Sequence, residues 1–381
     1  MKSVPTKKTY LVGATLFAAA LALPSYQPAF AEAAPEKGIV AFKYLNYEDK
    51  DTNPAQERME ISAATISVMA PIAGKWSIST TYTNDSVSGA SPSHYNEYKP
   101  EFVSGASKIE EKRHAVDFSL TRYFQRGTIT LGSSYSSEND YISRSYSAQG
   151  SLSSEDKNTT FTLGGSYTTD TINPSDDEPG FFEKRTVAGL VGITKVLTKV
   201  DILQLNLGYS RGRGYFNDPY KMLDARPDRR ESETVMTRWN HHFDGTDGTS
   251  RLSYRYYTDT FGVNAHTFGL EYVQPVAGDW TITPSARFSS QTAADFYYPM
   301  PPEGEGIDPT GTYSSLDQRL SSFGALTLGI KVEKRIAKDW LIDAKYENYE
   351  QRAAWSMTGG GDKGLSPFSA TFVQFGISRQ F

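Results

Sequence analysis

The last eleven residues, TFVQFGISRQF (residues 371–381), alternate large side chains with small or polar ones. Val373, Phe375 and Ile377 share one face of this stretch, while Gln374 lies on the other. A period of two predicts a β-strand with one apolar and one polar face. About 9–11 residues of such alternation are enough for a strand to cross a lipid bilayer. The pattern therefore predicts a strand of a transmembrane β-barrel.

The same stretch resembles the C-terminal recognition strand of bacterial outer-membrane proteins. In that strand a polar residue, a glycine and a final aromatic residue recur at fixed offsets, which Gln374, Gly376 and Phe381 match. Arg379 departs from the pattern, because an apolar residue is usual at its position. The resemblance implies that the three matching residues form an assembly signal, with the barrel assembly machinery as a partner.

Composition excludes several other classes of protein. The 381 residues contain no cysteine, which rules out disulfides and thiolate metal sites. A helical membrane protein needs runs of about 20 apolar residues, and none follows residue 31. The net charge of -5 argues against a nucleic-acid partner, because nucleic-acid-binding proteins are normally basic. We expect no cofactor and no metal.

Residues 1–31 have the features of a signal peptide. Lys2, Lys7 and Lys8 form a basic start, and an apolar segment follows that is too short to span a membrane as a helix. Residues 29–31, Ala-Phe-Ala, match an A-x-A cleavage site. The short segment disfavours the alternative of a membrane anchor. We therefore expect residues 32–381 to form one barrel in the cell outer membrane of a Gram-negative bacterium.

A repeated turn motif gives the phase of the strands. The sequence PIAGKWSI (residues 71–78) recurs as PVAGDWTI (residues 275–282) and more loosely as IAKDWLI (residues 336–342). Each motif predicts a tight turn followed by a Trp that opens the next strand. The resulting strands cover residues 37–48, 58–70, 76–86, 113–124, 128–139, 141–153, 159–172, 184–197, 201–212, 231–243, 250–260, 264–274, 280–292, 318–335, 340–354 and 369–381.

The fold class predicted from these strands is all-β: an antiparallel transmembrane β-barrel of about 16 strands with short periplasmic turns and longer extracellular loops. An even number of strands places both termini on the same side of the membrane, as such barrels require. The Ser-rich region 128–172 could pair differently, which would give fourteen strands.

Alternation along the predicted strands assigns many charged side chains to the inside of the barrel. The lumen candidates are Arg238, Arg251, Arg255, Glu271, Arg287, Lys331, Glu333, Asp343, Lys345 and Glu347. Arginines opposite carboxylates would create a transverse field that selects solutes in a pore. The alternative is an interior network of ion pairs that plugs or stiffens the barrel.

A second group of arginines lies in and beside one long loop. This candidate constriction loop contains Arg211, Arg213, Arg226, Arg229 and Arg230. The loop could fold inward and narrow the lumen. The alternative is an ordinary solvated surface loop.

The five histidines form no catalytic or metal-binding pattern in the sequence. His241 and His242 are adjacent, so they point to opposite faces of a strand and cannot share a metal. We expect His94, His114 and His266 near the outer rim. An outer-membrane hydrolase would need a serine or aspartate within reach of one of them, and no spacing in the sequence indicates such a pair. We therefore predict no enzyme.

The whole mature chain resembles an uncharacterised bacterial outer-membrane β-barrel family catalogued as a domain of unknown function. Stretches that carry the resemblance include SRGRGYFNDPYK (residues 210–221), RWNHHF (residues 238–243), LSYRYYTDTFGVNAHT (residues 252–267) and DQRLSSFGA (residues 317–325). The resemblance implies the fold and the location, and it carries no activity.

Two functions are compatible with these observations. The first is a porin-like or substrate-selective passive channel, with small solutes and outer-membrane lipid as partners. The second is an occluded, non-conducting barrel that serves as an interaction or assembly partner. A hydrolase with its site at the outer rim is the least favoured reading.

Overall fold

The computed structural model describes residues 33–51, 59–89, 109–174, 180–219, 223–299 and 311–381. The predicted signal peptide and His94 lie outside these residues. The strands are β1 (Ile39–Asp51), β2 (Glu60–Ile72), β3 (Trp76–Gly89), β4 (Ile109–Phe124), β5 (Gly127–Ser137), β6 (Tyr141–Ser153), β7 (Thr159–Ile172), β8 (Phe182–Val196), β9 (Asp201–Gly214), β10 (Arg229–Phe243), β11 (Gly248–Asp259), β12 (Asn264–Val276), β13 (Trp280–Gln291), β14 (Phe323–Ala337), β15 (Trp340–Arg352) and β16 (Phe368–Gln380).

The sixteen strands form one closed antiparallel barrel, which confirms the predicted fold class. Each strand pairs with its neighbours in the chain, and β1 pairs with β16 to complete the circle. At this junction Tyr44 lies opposite Phe375 and Val40 lies opposite Arg379. The Ser-rich strands β5, β6 and β7 pair in simple sequence order, so the fourteen-strand alternative is wrong.

The strands form because their side chains alternate between two environments. On β9, Leu203, Leu205 and Leu207 are all exposed on one face, while Gln204 and Asn206 occupy the other. Since a closed barrel has only an inner and an outer face, the exposed apolar set defines the outside. A closed barrel also leaves no strand edge with unpaired backbone groups, which a lipid environment requires.

Short turns join the strands at one end of the barrel, here called the short-turn end, and longer segments join them at the long-loop end. Two short turns use the repeated motif, and Gly74 and Gly278 there adopt φ values of 64° and 72°. Glycine takes this left-handed conformation without the steric cost of a Cβ atom. The motif therefore encodes the turns that fix the strand phase.

Aromatic side chains mark the short-turn end. Trp76, Trp280 and Trp340 each open a strand there. The guanidinium of Arg379 lies 5.3 Å from the ring centre of Trp340. An arginine held on an aromatic girdle keeps its charge at the interface. This contact explains how the unusual residue in the C-terminal pattern is accommodated.

Two predicted strand boundaries are wrong at the long-loop end. The strand predicted from residue 318 begins at Phe323, and Gln318–Leu320 forms a 3₁₀ turn instead. Similarly, β15 ends at Arg352 and Ala353–Trp355 forms a second 3₁₀ turn. The first error has a local cause, because the side chain of Asp317 accepts a hydrogen bond from the backbone N–H of Arg319.

No helix in the described ranges is long and apolar enough to cross a membrane.

The size of the barrel limits what can fill it. Sixteen strands spaced about 4.8 Å apart and tilted by about 40° give a backbone diameter of about 30 Å. Wall side chains fill the interior of eight-stranded barrels, whereas sixteen strands leave room for water or for inserted loops. The wall side chains alone therefore do not fill this barrel.

Candidate functional site, the barrel lumen

The ten predicted lumen residues all lie on the inward faces of β10–β15, and we call this set the charged wall. Across four strands, Arg238 lies opposite Ser253, Ser253 opposite Gly269, and Gly269 opposite Arg287. Two arginines therefore border a strip of small residues, with three strand spacings, or about 14 Å, between them.

Six members of the charged wall form ion pairs. Their N–O distances are 3.5 Å for Arg251–Glu271, 2.7 Å for Lys331–Glu333 and 3.0 Å for Lys345–Glu347. These pairs leave little net charge in their part of the wall. They give partial support to the alternative of an interior ion-pair network.

Asp343 lies beside the C-terminal strand. A Cβ atom added to Gly376 would lie 2.2 Å from Oδ2 of Asp343, so a larger residue here would displace that carboxylate. Gly376 therefore has a packing role in the lumen wall in addition to its place in the C-terminal pattern. Gln374 lies opposite Lys345 on the same pair of strands, and Phe381 donates its backbone N–H to the carbonyl of Gly38 at 3.0 Å.

Three arginines of the charged wall, Arg238, Arg255 and Arg287, have no carboxylate within ion-pair distance in the part of the chain that the structure describes. Arg255 and Arg287 are exposed although they face inward, as is Glu271. Inward side chains are exposed only where water reaches the lumen. The middle of the charged wall thus carries an uncompensated positive charge in contact with water.

The opposite side of the lumen has different chemistry. The inward faces of β5–β7 carry a set of hydroxyl side chains that we call the hydroxyl wall: Thr128, Thr130, Ser134, Ser136, Ser143, Ser145, Ser147, Ser151, Thr160, Thr162, Ser166 and Thr168. Many are hydrogen-bonded across strands, with 2.7 Å between Thr128 and Ser151 and 2.9 Å between Thr168 and Ser145. Apart from Asp170 at its long-loop end, which pairs with Lys184 at 3.2 Å, the inward face of these strands is polar without charge.

Loops pack together inside the long-loop end. Phe261, Val263, Ala294 and Leu320 form a buried apolar group, which we call the mouth cluster. Further aromatic residues pack around it, namely Phe216, Tyr257, Phe296 and Tyr297. Because Tyr257 is an inward residue of β11, the mouth cluster rests on the charged-wall side of the barrel.

A network of ion pairs, here called the mouth network, joins the same loops. Arg226 reaches Asp224 at 2.8 Å and Asp317 at 2.7 Å. Arg319 reaches Asp218 at 2.6 Å and also pairs with Asp317. Burial raises the pKa of the Asp224 carboxyl, and Arg226 opposes this effect. Losing one partner would leave a buried charge uncompensated, so the network holds the loops together.

A cavity of about 220 Å³ lies where the mouth cluster meets the charged wall. Its lining includes Arg230, Arg255, Arg319, Tyr257 and Gln291. Arg230 and Arg319 are committed to carboxylates, at 2.5 Å from Asp259 and 2.6 Å from Asp218, respectively. Arg255 is therefore the arginine of this cavity that has no carboxylate partner in the described ranges.

The structure separates the five arginines of the candidate constriction loop. Arg226 and Arg230 lie inside the long-loop end, where they pair with Asp317 and Asp259. Arg211, Arg213 and Arg229 instead lie on the outward faces of β9 and β10, in line with exposed Leu207 and Val235. The hypothesis of a single constriction loop that contains all five arginines is therefore wrong, because β9 and β10 extend into this region and strand alternation divides the arginines.

The four histidines in the described ranges lie apart from one another, except for the adjacent His241 and His242. On the outward face, His114 lies 2.9 Å from the hydroxyl of Tyr82, and His266 lies 2.8 Å from that of Tyr254. His241 lies 2.7 Å from Asp201, and His242 faces inward near the short-turn end. Within the described ranges, no group of three or more His, Asp or Glu side chains is arranged to hold a metal.

The sequence analysis assigned no role to the residues that pack and pair at the long-loop end, among them Asp218, Phe261 and Arg319. The density of aspartate and arginine in DARPDRR (residues 224–230) and DQR (residues 317–319) is the only signal in the sequence for this network. That signal does not identify which residues pair, because Arg319 and Asp218 are separated by 101 residues.

Solved structures of similar shape are outer-membrane barrels. CdiB from Acinetobacter baumannii superimposes with a TM-score of 0.50 and 10% identity, covering 90% of this chain and 60% of that chain. A bacterial polysaccharide outer membrane secretin gives a TM-score of 0.51 and 8% identity, and the match covers 90% of this chain and 98% of the secretin. OccK9 (OpdG) from Pseudomonas aeruginosa gives a TM-score of 0.45 and 9% identity, and the match covers 93% of this chain and 100% of OccK9. The first two likenesses show the fold, and the chain spans less than two thirds of CdiB.

The sequence also matches a family model. The model is described as "Protein of unknown function (DUF3570)" and covers residues 13–183 and 181–376. No curated protein matches the sequence.

Proposed function

The chain belongs to this family of unknown function, DUF3570, and we propose that it is a substrate-selective passive channel of the Gram-negative outer membrane. The observation that carries the proposal is the water-exposed middle of the charged wall. There Arg238, Arg255 and Arg287 face the lumen without a carboxylate partner among the described residues.

These arginines favour the passage of anions. A positive charge in a lumen with low-dielectric walls raises the local concentration of anions and lowers that of cations. Two unit charges about 4 Å apart interact by about 1 kcal/mol in water and by about 4 kcal/mol near a protein surface. Even a partial interaction of this size changes ion preference several-fold. The ion pairs elsewhere in the charged wall do not cancel the positive charge of these three arginines.

The mouth cluster adds a limit on size. Its loops occupy the long-loop end on the charged-wall side, and the 220 Å³ cavity beside Arg255 sits below them. A solute that enters along this side meets Arg255 before it reaches Arg238 and Arg287. We therefore propose small anionic solutes as the transported class.

The proposed orientation follows the habit of outer-membrane barrels, with short turns in the periplasm and long loops outside. The predicted signal peptide, residues 1–31, and the pairing of β1 with β16 at a common end support this orientation. Recognition of Gln374, Gly376 and Phe381 by the barrel assembly machinery belongs to the same proposal.

Planar-bilayer recording with the folded protein tests the channel. We expect discrete conductance steps and a reversal potential in a KCl gradient that shows several-fold preference for chloride. The triple variant Arg238→Gln, Arg255→Gln, Arg287→Gln should lose most of this preference. Arg126→Gln, on an exposed short turn, is the matched control and should retain it. An unchanged chloride preference in the triple variant would refute the role of these arginines.

A second candidate is the occluded barrel that serves as an interaction or assembly partner, and the buried mouth network favours it. The same recordings separate the two functions. If the barrel is occluded, the natural protein gives no conductance steps, and a variant with a broken mouth network conducts. A channel conducts in both forms.

A further inference from the structure

Four arginines form a patch on the outer face of the barrel near its long-loop end. Arg185 on β8 lies opposite Arg213 on β9, which in turn lies opposite Arg229 on β10. Arg211 lies on the same face one position nearer the short-turn end, opposite Val187 and Glu231. We call these four residues the outward arginine row.

The row stands at the upper edge of the apolar band. On β8, the outward side chains between Lys195 and Arg185 include Val191 and Val187, which are 55% and 57% exposed. Ten residues of a strand tilted by about 40° rise about 25 Å, which equals the height of the apolar band of outer-membrane barrels. Lys195 and Arg185 therefore mark the two boundaries of the membrane on this strand.

The arginines of the row are only partly neutralised. Glu183 accepts a bond from Arg185 at 2.9 Å, and Glu231 is shared between Arg229 and Arg211, at 3.4 Å from the latter. Arg213, between two other arginines, has no carboxylate partner in the described chain. Even counting the nearby outward Glu233, the patch holds four basic and three acidic side chains.

The clustering of arginines is local to β8–β10, whereas Arg144 on β6 and Arg352 on β15 stand singly on the outward face near the same end. At the same end of β1 and β2 the outward face carries Asn46, Glu48 and Glu60, with Asn46 donating to Glu60 at 3.0 Å. A uniformly basic belt would attract any anionic surface without a defined site. A basic segment on one side of the barrel, with an acidic one on the opposite side, instead points to a ligand that occupies a particular position on the barrel.

We propose that the outward arginine row binds the phosphorylated headgroup of a glycolipid in the outer leaflet. Guanidinium groups match phosphate oxygens with two parallel hydrogen bonds, and basic clusters at a membrane boundary bind anionic headgroups. The acyl chains then lie along the exposed Val187, Leu207 and Val235 directly below. The proposal rests on the proposed outer-membrane location, but it is independent of whether the lumen conducts.

Native mass spectrometry of the folded barrel tests this site, with bisphosphorylated lipid A as the probe. The double variant Arg185→Gln, Arg213→Gln should bind the lipid at least tenfold more weakly than the natural protein. The matched control is Arg144→Gln, Arg352→Gln, which removes two outward arginines near the same end but outside the row. The control should lose less than twofold. Replacing both row arginines with lysine should give an intermediate loss, because charge remains while the two-bond geometry is lost.

Three results would overturn the proposal. The first is equal loss in the double variant and the control, which would show nonspecific attraction. The second is equal affinity for lipid A and its dephosphorylated form, and the third is displacement of the lipid by millimolar inorganic phosphate, which would indicate a site for free anions. Heat-modifiable gel migration confirms that each variant is folded. Bilayer recordings of the double variant should be unchanged, so a failure of the channel proposal is seen separately.

Discussion

The charged wall and the hydroxyl wall face each other across one lumen. On the hydroxyl wall, neighbouring Ser and Thr side chains satisfy one another, as Thr128 and Ser151 do at 2.7 Å. On the charged wall, six basic side chains face four acidic ones, and three of the arginines lack a carboxylate partner among the described residues. Both walls are wetted by water, but only one carries a field.

The difference between the two walls shows how one lumen can be polar all round and still carry an electric field across it. Hydroxyl groups keep the lumen hydrated without attracting ions, whereas fixed charges on one side pull anions toward that side. The mouth cluster sits over the charged wall, through Arg230 and Tyr257. The described loops therefore limit access on the side where the charge acts.

The largest effect on this asymmetry should come from breaking the mouth network with Arg319→Met. Asp218 and Asp317, both buried, would lose their shared partner, although Asp317 would keep its ion pair with Arg226. Breaking a buried ion pair by removing one partner costs about 3–5 kcal/mol. We expect the loops to leave the mouth, conductance to rise at least twofold, and protease to cut within residues 311–322.

Arg126→Met is the control for this variant, because it removes an exposed arginine at the short-turn end. If Arg319→Met and the control show the same conductance and the same protease resistance, the mouth network does not hold the loops.

A smaller effect should follow from placing charge on the hydroxyl wall. Ser134 and Ser147 are exposed inward residues of β5 and β6. The variant Ser134→Arg, Ser147→Arg should raise chloride preference about twofold, because the field then acts from both sides. Ser134→Gln, Ser147→Gln controls for side-chain bulk and should leave the preference unchanged. A similar response to both pairs would show that size, not charge, governs passage.

The smallest expected effect is a pH dependence at Glu138, in the turn after β5. Burial raises the pKa of this carboxyl to about 7, an effect that Arg113 opposes and that Asp140 and Asp85 reinforce. Above this pH the group becomes charged, so chloride preference should fall slightly between pH 6 and pH 8. In Glu138→Gln the reversal potential should be the same at both pH values, while Glu155→Gln, on an exposed turn, should behave like the natural protein.

The same shift sets the sign of a stability change. The folded pKa of Glu138 lies above its ordinary value of 4.5, so the folded state holds the proton more tightly than the unfolded state. The stabilisation is complete below about pH 4.5 and is lost as the pH rises through about 7. Stability that increases over this interval in the natural protein, relative to Glu138→Gln, would contradict a raised pKa.

The sequence was sufficient to predict the barrel because its signals are local. The repeated turn with Gly74 and Gly278 sets the strand phase, and alternation then assigns side chains such as Arg238 to the lumen. The Ser-rich strands gave the weakest signal, since Ser and Gly show little contrast between the two faces. Pairing with β5 and β7 on either side determines the place of β6.

The mouth could not be predicted because its contacts are not local. Arg226 meets Asp317 across 91 residues, and alternation carries no information about loops. The same limit explains the misplaced arginines: Arg211 was grouped with the loop although the predicted strand 201–212 contains it, and β9 continues through Arg213 to Gly214. Extending the strand by two residues would have shown that they face outward.

The pairing of β1 with β16 has a consequence for synthesis. The partner of the first strand is the last one made, so Tyr44 cannot meet Phe375 until nearly the whole chain has been produced. A chain released early by the ribosome would form an open sheet with two unpaired edges, which lipid does not tolerate. The junction therefore makes closure depend on β16, so only copies that contain this strand can close the barrel.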